Sequence, residues 1–377
     1  MELYECNSAT VRGDGIVLRA AREDDADDLV RAVDDPLISR FVTPLPVPFT
    51  RPDADRWIAG AGAWVIADPQ TDRLLGSARL YHLSAQDAKA EVGYWVAPWA
   101  RGRGVAVAAV RAATAWAFEQ GTARVELLAE PENAPSHKVA VRAGFTYEGE
   151  RRGAAVNRDG SRADLAAWAR LATDPAGPSP RRLPDLPAGG LTDGIVRVRP
   201  LVADDTDDLF AVMSLPESIR TTVPPVVPVL ADVRRRCERA SGEWTAGLRA
   251  RMTIRDAADD AFAGDIGLFW TGPGMEELLV GYGLVPRYRG KGFATRATRL
   301  VAGWAFAVVG VPRLVSGTAP ENVASQRVLE RAGFQREGYE RSRLPGVDGG
   351  RIDNVLFSLL PGELAPVTAE PARSGTR

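Results

Sequence analysis

The chain has little of what metal and thiol chemistry needs: two cysteines and two histidines among 377 residues. Cys6 and Cys237 lie far apart, with no CxxC pair, and His82 and His137 add no zinc-ligand spacing. No metal site is expected, and the thiols read as reduced, as in a cytosolic protein. An excess of one charge is also missing. The formal net charge is -2 and the pI about 5.9, so the basic field of a nucleic-acid or anionic-membrane binder is absent. No apolar run is long enough to span a bilayer, and Met1–Thr10 lacks the basic-then-apolar pattern of a secretory signal. These absences predict a cytoplasmic protein with no nucleic-acid and no membrane partner. What remains is ordinary globular composition, 45% hydrophobic and 25% charged, in a chain long enough for two domains.

The two domains announce themselves as a repeat. Gly15-Ile16-Val17 followed by the acidic run Asp24–Asp28 returns as Gly194-Ile195-Val196 followed by Asp204–Asp208. Arg101-Gly102-Arg103-Gly104 returns as Arg289-Gly290-Lys291-Gly292, and Trp116-Ala117-Phe118 as Trp304-Ala305-Phe306. Pro131-Glu132-Asn133 with Ser136 returns as Pro320-Glu321-Asn322 with Ser325, and Ala143-Gly144-Phe145 as Ala332-Gly333-Phe334. The order is the same, and the spacing is far too long for a solenoid. The expected division is 1–172, a Pro/Gly-rich linker 173–193, a second domain 194–361 and a tail 362–377.

Within one copy, Ile16–Arg19 reads as a strand and Asp24–Val33 as a helix opened by acidic residues. Pro44, Pro46 and Pro48 enforce a loop, and a helix is expected over Asp53–Ala61. Trp64–Ala67, Leu75–Tyr81 and Glu91–Ala97 read as strands. Gly104–Gln120 is a nearly all-apolar helix, which must be largely buried. Arg124–Ala129 is a strand, Ser136–Ala143 a helix with Gly144 at its C-terminus, and two closing strands follow. An antiparallel meander joined to a strand–helix–strand–helix unit makes the class α/β, with a mixed (α+β) sheet in each copy.

The segment with chemical content is the strand, glycine turn and helix at Val96–Ala106 and again at Leu284–Ala294. A glycine turn opening a helix presents unpaired N–H groups and the positive end of the helix dipole, which suits a pyrophosphate. It is not a P-loop, because no GK[ST] follows, nor a dinucleotide fingerprint, because the third glycine and the ribose-binding acid are missing. Arg101 to Ala106 and Arg289 to Ala294 match the [Q/R]-x-x-G-x-[G/A] turn of the GNAT superfamily of N-acetyltransferases. With Glu132–Ser136, Glu321–Ser325 and the two Ala-Gly-Phe segments, the chain resembles that superfamily over most of both halves. Within it, the chain is similar to the ribosomal-protein alanine N-acetyltransferases. Asp164 and Asp353 look like part of the family's closing strand.

The resemblance implies acetyl-CoA as co-substrate. Its pyrophosphate is expected on Arg101, Gly102, Arg103, Gly104, Val105 and Ala106 in one copy, and on Arg289, Gly290, Lys291, Gly292, Phe293 and Ala294 in the other. The pantetheine arm is expected along Val96 and Ala97 and along Leu284 and Val285, where a backbone N–H would polarise the thioester carbonyl. Asn133 and Asn322 would contact the arm, and Ser136 and Ser325 would protonate the departing thiolate. Capping of the next helix is the alternative use of these residues. Glu91 is a candidate base with Leu279 as its counterpart, so the copies are not equivalent if Glu91 acts. A Ser136–His137 dyad is rejected, since adjacent helical residues diverge. Tryptophans 57, 64, 99, 244 and 270 read first as core.

The expected activity is acetyl transfer to a primary amine, on a small molecule or a protein N-terminus, by direct attack in a ternary complex. The alternatives are a non-catalytic or half-degenerate acetyl-CoA-binding pair, or transfer of a longer acyl group such as succinyl. The two domains are expected to pack as a pseudo-dimer. Acceptor choice is expected in 41–57 and 221–239, with the hairpins after Gly76 and Gly264, segments that differ between copies.

Overall fold

The structure, a computed structural model, describes residues 9–60, 62–84 and 86–364. Cys6, the His82 side chain and residues 365–377 of the expected tail lie outside that description. The chain divides into two compact units, Met1–Pro180 and Arg181–Arg377.

The first unit runs β1 (Val11–Gly13), β2 (Ile16–Arg19), α1 (Ala26–Val33), α2 (Pro36–Phe41), α3 (Arg51–Ala59), β3 (Trp64–Ala67), β4 (Leu74–Ser84) and β5 (Lys89–Val96). It continues through α4 (Val105–Glu119), β6 (Arg124–Ala129), α5 (Ala134–Arg142), β7 (Thr146–Val156) and β8 (Arg162–Leu171). The second unit repeats the scheme as β9 (Leu191–Thr192), β10 (Val196–Pro200), α6 (Thr206–Met213), α7 (Pro216–Thr221), α8 (Leu230–Thr245), β11 (Arg249–Asp256), β12 (Phe262–Trp270) and β13 (Glu277–Leu284). It closes with α9 (Phe293–Trp304), β14 (Arg313–Thr318), α10 (Val323–Ala332), β15 (Gln335–Pro345) and β16 (Arg351–Leu359). Each unit holds one eight-stranded sheet, in the orders β1-β2-β3-β4-β5-β6-β8-β7 and β15-β16-β14-β13-β12-β11-β10-β9, which are the same arrangement read from opposite ends.

Helix α4 lies on one face of its sheet, with Val105, Ala109, Val110, Ala113 and Ala117 buried, and Trp116 meets the fully buried Trp64 edge to face at 5.2 Å. The other face is covered by α1 and α3, whose Ala26, Leu29 and Ala54 form one core with Val65 and Trp95. Burial of a large apolar side chain such as Trp64 or Leu29 stabilises the fold by roughly 1.5–3 kcal/mol.

Four sequence expectations change. Helix α2 falls where the sequence reading has no element: Asp35 accepts from the N–H groups of Leu37 and Ile38, and Pro36 occupies the first helical position, which suits both its fixed φ and its missing donor. Helix α3 starts at Arg51 rather than Asp53, because Asp53 reaches back to the Thr50 N–H in a capping box. The segment 173–193 is only partly a linker. Leu183 is fully buried in the second core, Leu186 and Leu191 pack on it, and Leu191–Thr192 pair with β10. The second unit also extends past 361, since Leu364 packs on the same core.

Candidate active site

Strand β5 pairs in parallel with β6 from Lys89–Arg124 to Glu91–Glu126, and there the pairing stops. On its other side β5 stays paired with β4 as far as Gly76–Val96. The C-terminal half of β5 therefore has an open edge. Strand β13 repeats this: it pairs with β14 from Glu277–Arg313 to Leu279–Val315 and with β12 to Gly264–Leu284.

Charges pin the closed end of each splay, in different ways. In the first unit Glu126, nearly fully buried, meets Lys89 at 2.8 Å, Arg124 at 2.9 Å and Arg151 at 2.7 Å. Burial pushes its carboxyl up, but the three cations outweigh that and hold it at about 2. In the second unit Val315 takes that place, and Arg313 bridges Glu277 and Glu337 instead.

Backbone alternation decides which amides face the opening. Ala97 N–H donates to Leu75 O, and Val285 N–H to Ala263 O, both at 2.9 Å. Those two amides are committed to the sheet. Antiparallel strands turn successive N–H groups to opposite sides, so Val96 and Leu284 face the open edge. The Leu284 carbonyl there accepts from Arg289 Nε at 3.1 Å and Nη2 at 3.0 Å.

The turn that follows needs glycine. Gly102, Gly104, Gly290 and Gly292 have φ of 74°, 79°, 70° and 83°, in the left-handed region that other residues adopt at a cost. A Cβ built at Gly102, Gly104 or Gly290 meets nothing within 4 Å, so the turn is open on that side. The first helical bonds are Ala108 N–H to Gly104 O and Arg296 N–H to Gly292 O, each 3.0 Å. The N–H groups of Val105, Ala106 and Val107, and of Phe293, Ala294 and Thr295, thus have no acceptor within their helices. The side chains of Val105, Phe293 and Ala294 are buried, so these residues offer only backbone.

The two basic residues of each turn separate in role. Arg101 is tied to Asp35 at 2.6 and 3.1 Å, a bond that holds the Asp35 carboxyl below its ordinary range. Arg289 is tied to Glu217 at 2.6 Å as well as to the Leu284 carbonyl. Both anchor the turn instead of reaching out from it. All four are solvent-exposed, and Arg103, 3.7 Å from Asp68, and Lys291, beside the Tyr288 ring, are the two not used as such anchors.

Across the splay stand Asn133 and Ser136, and Asn322 and Ser325. Each asparagine caps its helix: Asn133 Oδ1 accepts from Ser136 N–H at 3.3 Å and Asn322 Oδ1 from Ser325 N–H at 3.2 Å. Each serine has a partner that residue patterns alone did not assign. The Tyr94 hydroxyl donates to Ser136 Oγ at 3.1 Å, and the Tyr282 and Ser325 hydroxyls lie 2.9 Å apart. Burial raises both phenols, Tyr282 to about 12, so they stay protonated. The signal was present as the Gly93-Tyr94 and Gly281-Tyr282 pairs. His137 points elsewhere: Nδ1 accepts from Trp168 Nε1 at 3.0 Å and Nε2 contacts Glu130 O at 3.1 Å. The rejected dyad is absent.

Glu91 lies on the opposite face of β5 from Tyr94, because side chains alternate along a strand. It is the last residue paired with β6, it is half-buried, and the Tyr81 hydroxyl bonds to it. The five tryptophans are engaged in the fold: Trp64, Trp99, Trp244 and Trp270 donate to backbone carbonyls at 2.9–3.0 Å, and Trp57 packs on the α1/α3 core. Asp164 and Asp353 brace the closing hairpins by accepting from Gly153 and Ser342 N–H.

Among the described residues, no helix is long and apolar enough to cross a membrane. Comparison with known proteins agrees with the doubled architecture. The family described as Acetyltransferase (GNAT) domain matches residues 16–146 and again 196–335. The chain is 36% identical over 108 residues to the probable N-acetyltransferase YjcK of Bacillus subtilis, covering 28% of this chain and 59% of that protein. It is 38% identical over 100 residues to the putative ribosomal N-acetyltransferase YdaF of the same organism, covering 26% and 54%. The chain thus spans little more than half the length of these relatives. Among solved structures, Mycobacterium smegmatis RimJ in complex with CoA-disulfide aligns at 23% identity and a TM-score of 0.40, covering 47% of this chain and 87% of that one. A putative acetyltransferase from T. thermophilus aligns at 27% identity and a TM-score of 0.40, covering 48% and 92%. This chain belongs to the GNAT acetyltransferase family and carries two copies of its domain in tandem.

Proposed function

We propose that each unit binds acetyl-CoA and that the chain transfers the acetyl group to a primary amine, on a small molecule or a protein N-terminus, in a ternary complex. The observation that carries this reading is the coincidence, twice in one chain, of a strand that leaves its neighbour after three residue pairs and a left-handed glycine turn opening a helix. The open N–H groups of Val105–Val107 and Phe293–Thr295, with Arg103 and Lys291, suit a pyrophosphate. The edge of β5 and β13 offers N–H and C=O groups to an amide-bearing arm. Val96 and Leu284 face the place where an acyl carbonyl would lie, and their N–H groups would stabilise charge developing on its oxygen. Ser136 with Tyr94, and Ser325 with Tyr282, stand ready to hydrogen-bond a leaving thiolate and pass it a proton.

The experiment is a screen of the full chain with acetyl-CoA and primary amines. It would follow released thiol and identify products by the added mass of an acetyl group. Acetylated amine supports the reading. Acetyl-CoA binding without acetylation of any amine, including peptides with free N-termini, would leave a binding module. No acetyl-CoA binding at all would refute it.

A further inference from the structure

The two units differ at one place on the face of the sheet away from the Tyr–Ser pairs. Register fixes the correspondence. Ser77 pairs with Trp95, and Asp265 pairs with Gly283. Glu91 and Leu279 are the matching residues at the closed end. The first unit thus carries a carboxylate at the strand end and fills the next positions with Ser77 and Trp95, both at least nine-tenths buried. The second unit has Leu279 in place of that carboxylate, and Asp265 and Gly283 at the positions of Ser77 and Trp95.

In the second unit Gly267, Gly281 and Gly283 leave a floor without side chains, beside the Phe269 ring, which lies 2.8 Å from a Cβ built at Gly267 and 3.9 Å from one built at Gly281. Over that floor stands Asp265. Its Oδ1 lies 2.9 Å from a Cβ built at Gly283, and Val212 of α6 lies 3.8 Å from the same point. Gly283 immediately precedes Leu284, whose amide faces the open edge. Asp265 is partly accessible, and among the described residues its carboxylate is bonded to its own backbone N–H. Among the described residues no cation approaches it within salt-bridge distance. The charged groups that act on Asp265 are Arg236 of α8 and Arg251 of β11, and Arg251 lies 3.2 Å from Glu243 of α8. A partly accessible carboxylate with spare acceptor capacity, next to the open strand edge, suits a cationic donor that comes and goes.

We propose that Asp265 receives the acceptor amine in the C-terminal unit, docking its ammonium and taking the proton the nitrogen loses. The proposal rests on the acetyl-transfer reading above and adds which residue serves the acceptor side. The docked ammonium first gives one proton to Asp265, which releases it to solvent; as the resulting neutral amine nitrogen bonds to the acyl carbon, a second N–H proton passes to an Asp265 oxygen. The C–S bond breaks, and the sulfur keeps its electron pair and takes a proton from the Ser325–Tyr282 pair. Asp265 then returns its proton through solvent, which restores that pair. Burial raises Asp265 to about 6, against the pull of Arg236 and Arg251, in the range where a carboxylate works as a base near neutrality.

The test uses the full chain carrying Gly104→Glu, so that only the second unit loads, with benzylamine and an alanine-initiated tripeptide as acceptors. Asp265→Asn is expected to lower kcat/KM by about 100-fold and to remove its acid limb, while the rise in Tm produced by acetyl-CoA stays the same. An unchanged pH profile and kcat/KM would overturn the proposal. A parent chain showing no acetyl-CoA-dependent rise in Tm would overturn the underlying reading, and this one with it. A parent that loads but acetylates neither acceptor is read by carbodiimide coupling of benzylamine. Coupling at Asp265 above the surface carboxylates supports the proposal, and its absence there overturns it.

Discussion

Gly104→Glu and Gly104→Ala together separate what the backbone of the glycine turn does from what its electrostatics do. Gly104 sits at φ 79° with nothing within 4 Å of a built Cβ. Neither substitution creates a clash, so both carry the same backbone strain, about 1–2 kcal/mol for a residue in the left-handed region. That predicts a fall of roughly 2–8 °C in the Tm of the first unit, nearly equal for the two variants. Only the glutamate adds charge, and it adds it at the positive end of α4. A carboxylate about 6 Å from a phosphate charge repels it by roughly 0.7–2.8 kcal/mol for an effective dielectric between bulk water and a protein surface. Acetyl-CoA affinity at that site should therefore fall by roughly 3- to 100-fold with glutamate and by far less with alanine. Calorimetric titration of the full chain is expected to show two sites, of which Gly104→Glu removes one from the high-affinity range and Gly292→Glu the other. Equal losses for alanine and glutamate would refute the electrostatic account. Two intact sites in Gly104→Glu would place the phosphates elsewhere.

Tyr282→Phe and Ser325→Ala should each lower turnover by about 10- to 100-fold with little change in acetyl-CoA affinity, read as kcat against calorimetric Kd; if affinity falls and turnover holds, the pair is a binding contact only. Asp265 should weaken the fold at neutral pH. Its folded carboxyl is raised to about 6 from an ordinary value of 3.8, so below the lower value it costs nothing, and stability is lost as pH rises toward the upper one. Asp265→Asn should accordingly stabilise the chain by about 1–3 kcal/mol at pH 7 and not at pH 3.5, measured by denaturant melts; equal gains at both would exclude titration as the cause. Glu126 runs the other way. Its carboxyl is held at about 2, so its contribution is full above the ordinary glutamate range and is lost as pH falls through the folded value. Glu126→Gln should destabilise the first unit by about 3 kcal/mol at pH 7, because it leaves a buried group without its ion pairs; an unchanged midpoint would show that the cluster contributes nothing net.

The repeat, the element types and the turn were legible because they rest on local chemistry. A strand followed by Arg-Gly-x-Gly and an apolar run reads the same wherever it occurs, since left-handed glycines and an uncapped helix end are properties of a few consecutive residues. Arg124–Ala129 forms a strand with the bounds its sequence suggests. Helix α2 was not legible, because its start depends on Asp35 turning its side chain onto Leu37 and Ile38, and acidic residues do that in many loops. Segment 173–193 misled for a similar reason. Composition shows that Pro and Gly avoid regular structure, but it does not show that Leu183 is buried.

By itself, the sequence determined the family, the doubled domain and the residues of the turn. Tertiary structure alone decided how those residues divide their work. Pairing direction commits the amides of Ala97 and Val285 to the sheet and turns those of Val96 and Leu284 outward. Ion pairs with Asp35 and Glu217 engage Arg101 and Arg289 and leave Arg103 and Lys291 as the cations not held that way. The register of β12 against β13 sets Asp265 over Gly283, residues 18 positions apart in the chain. Function at this site depends on which groups remain unpaired after folding, and only the partners brought from elsewhere in the chain decide that.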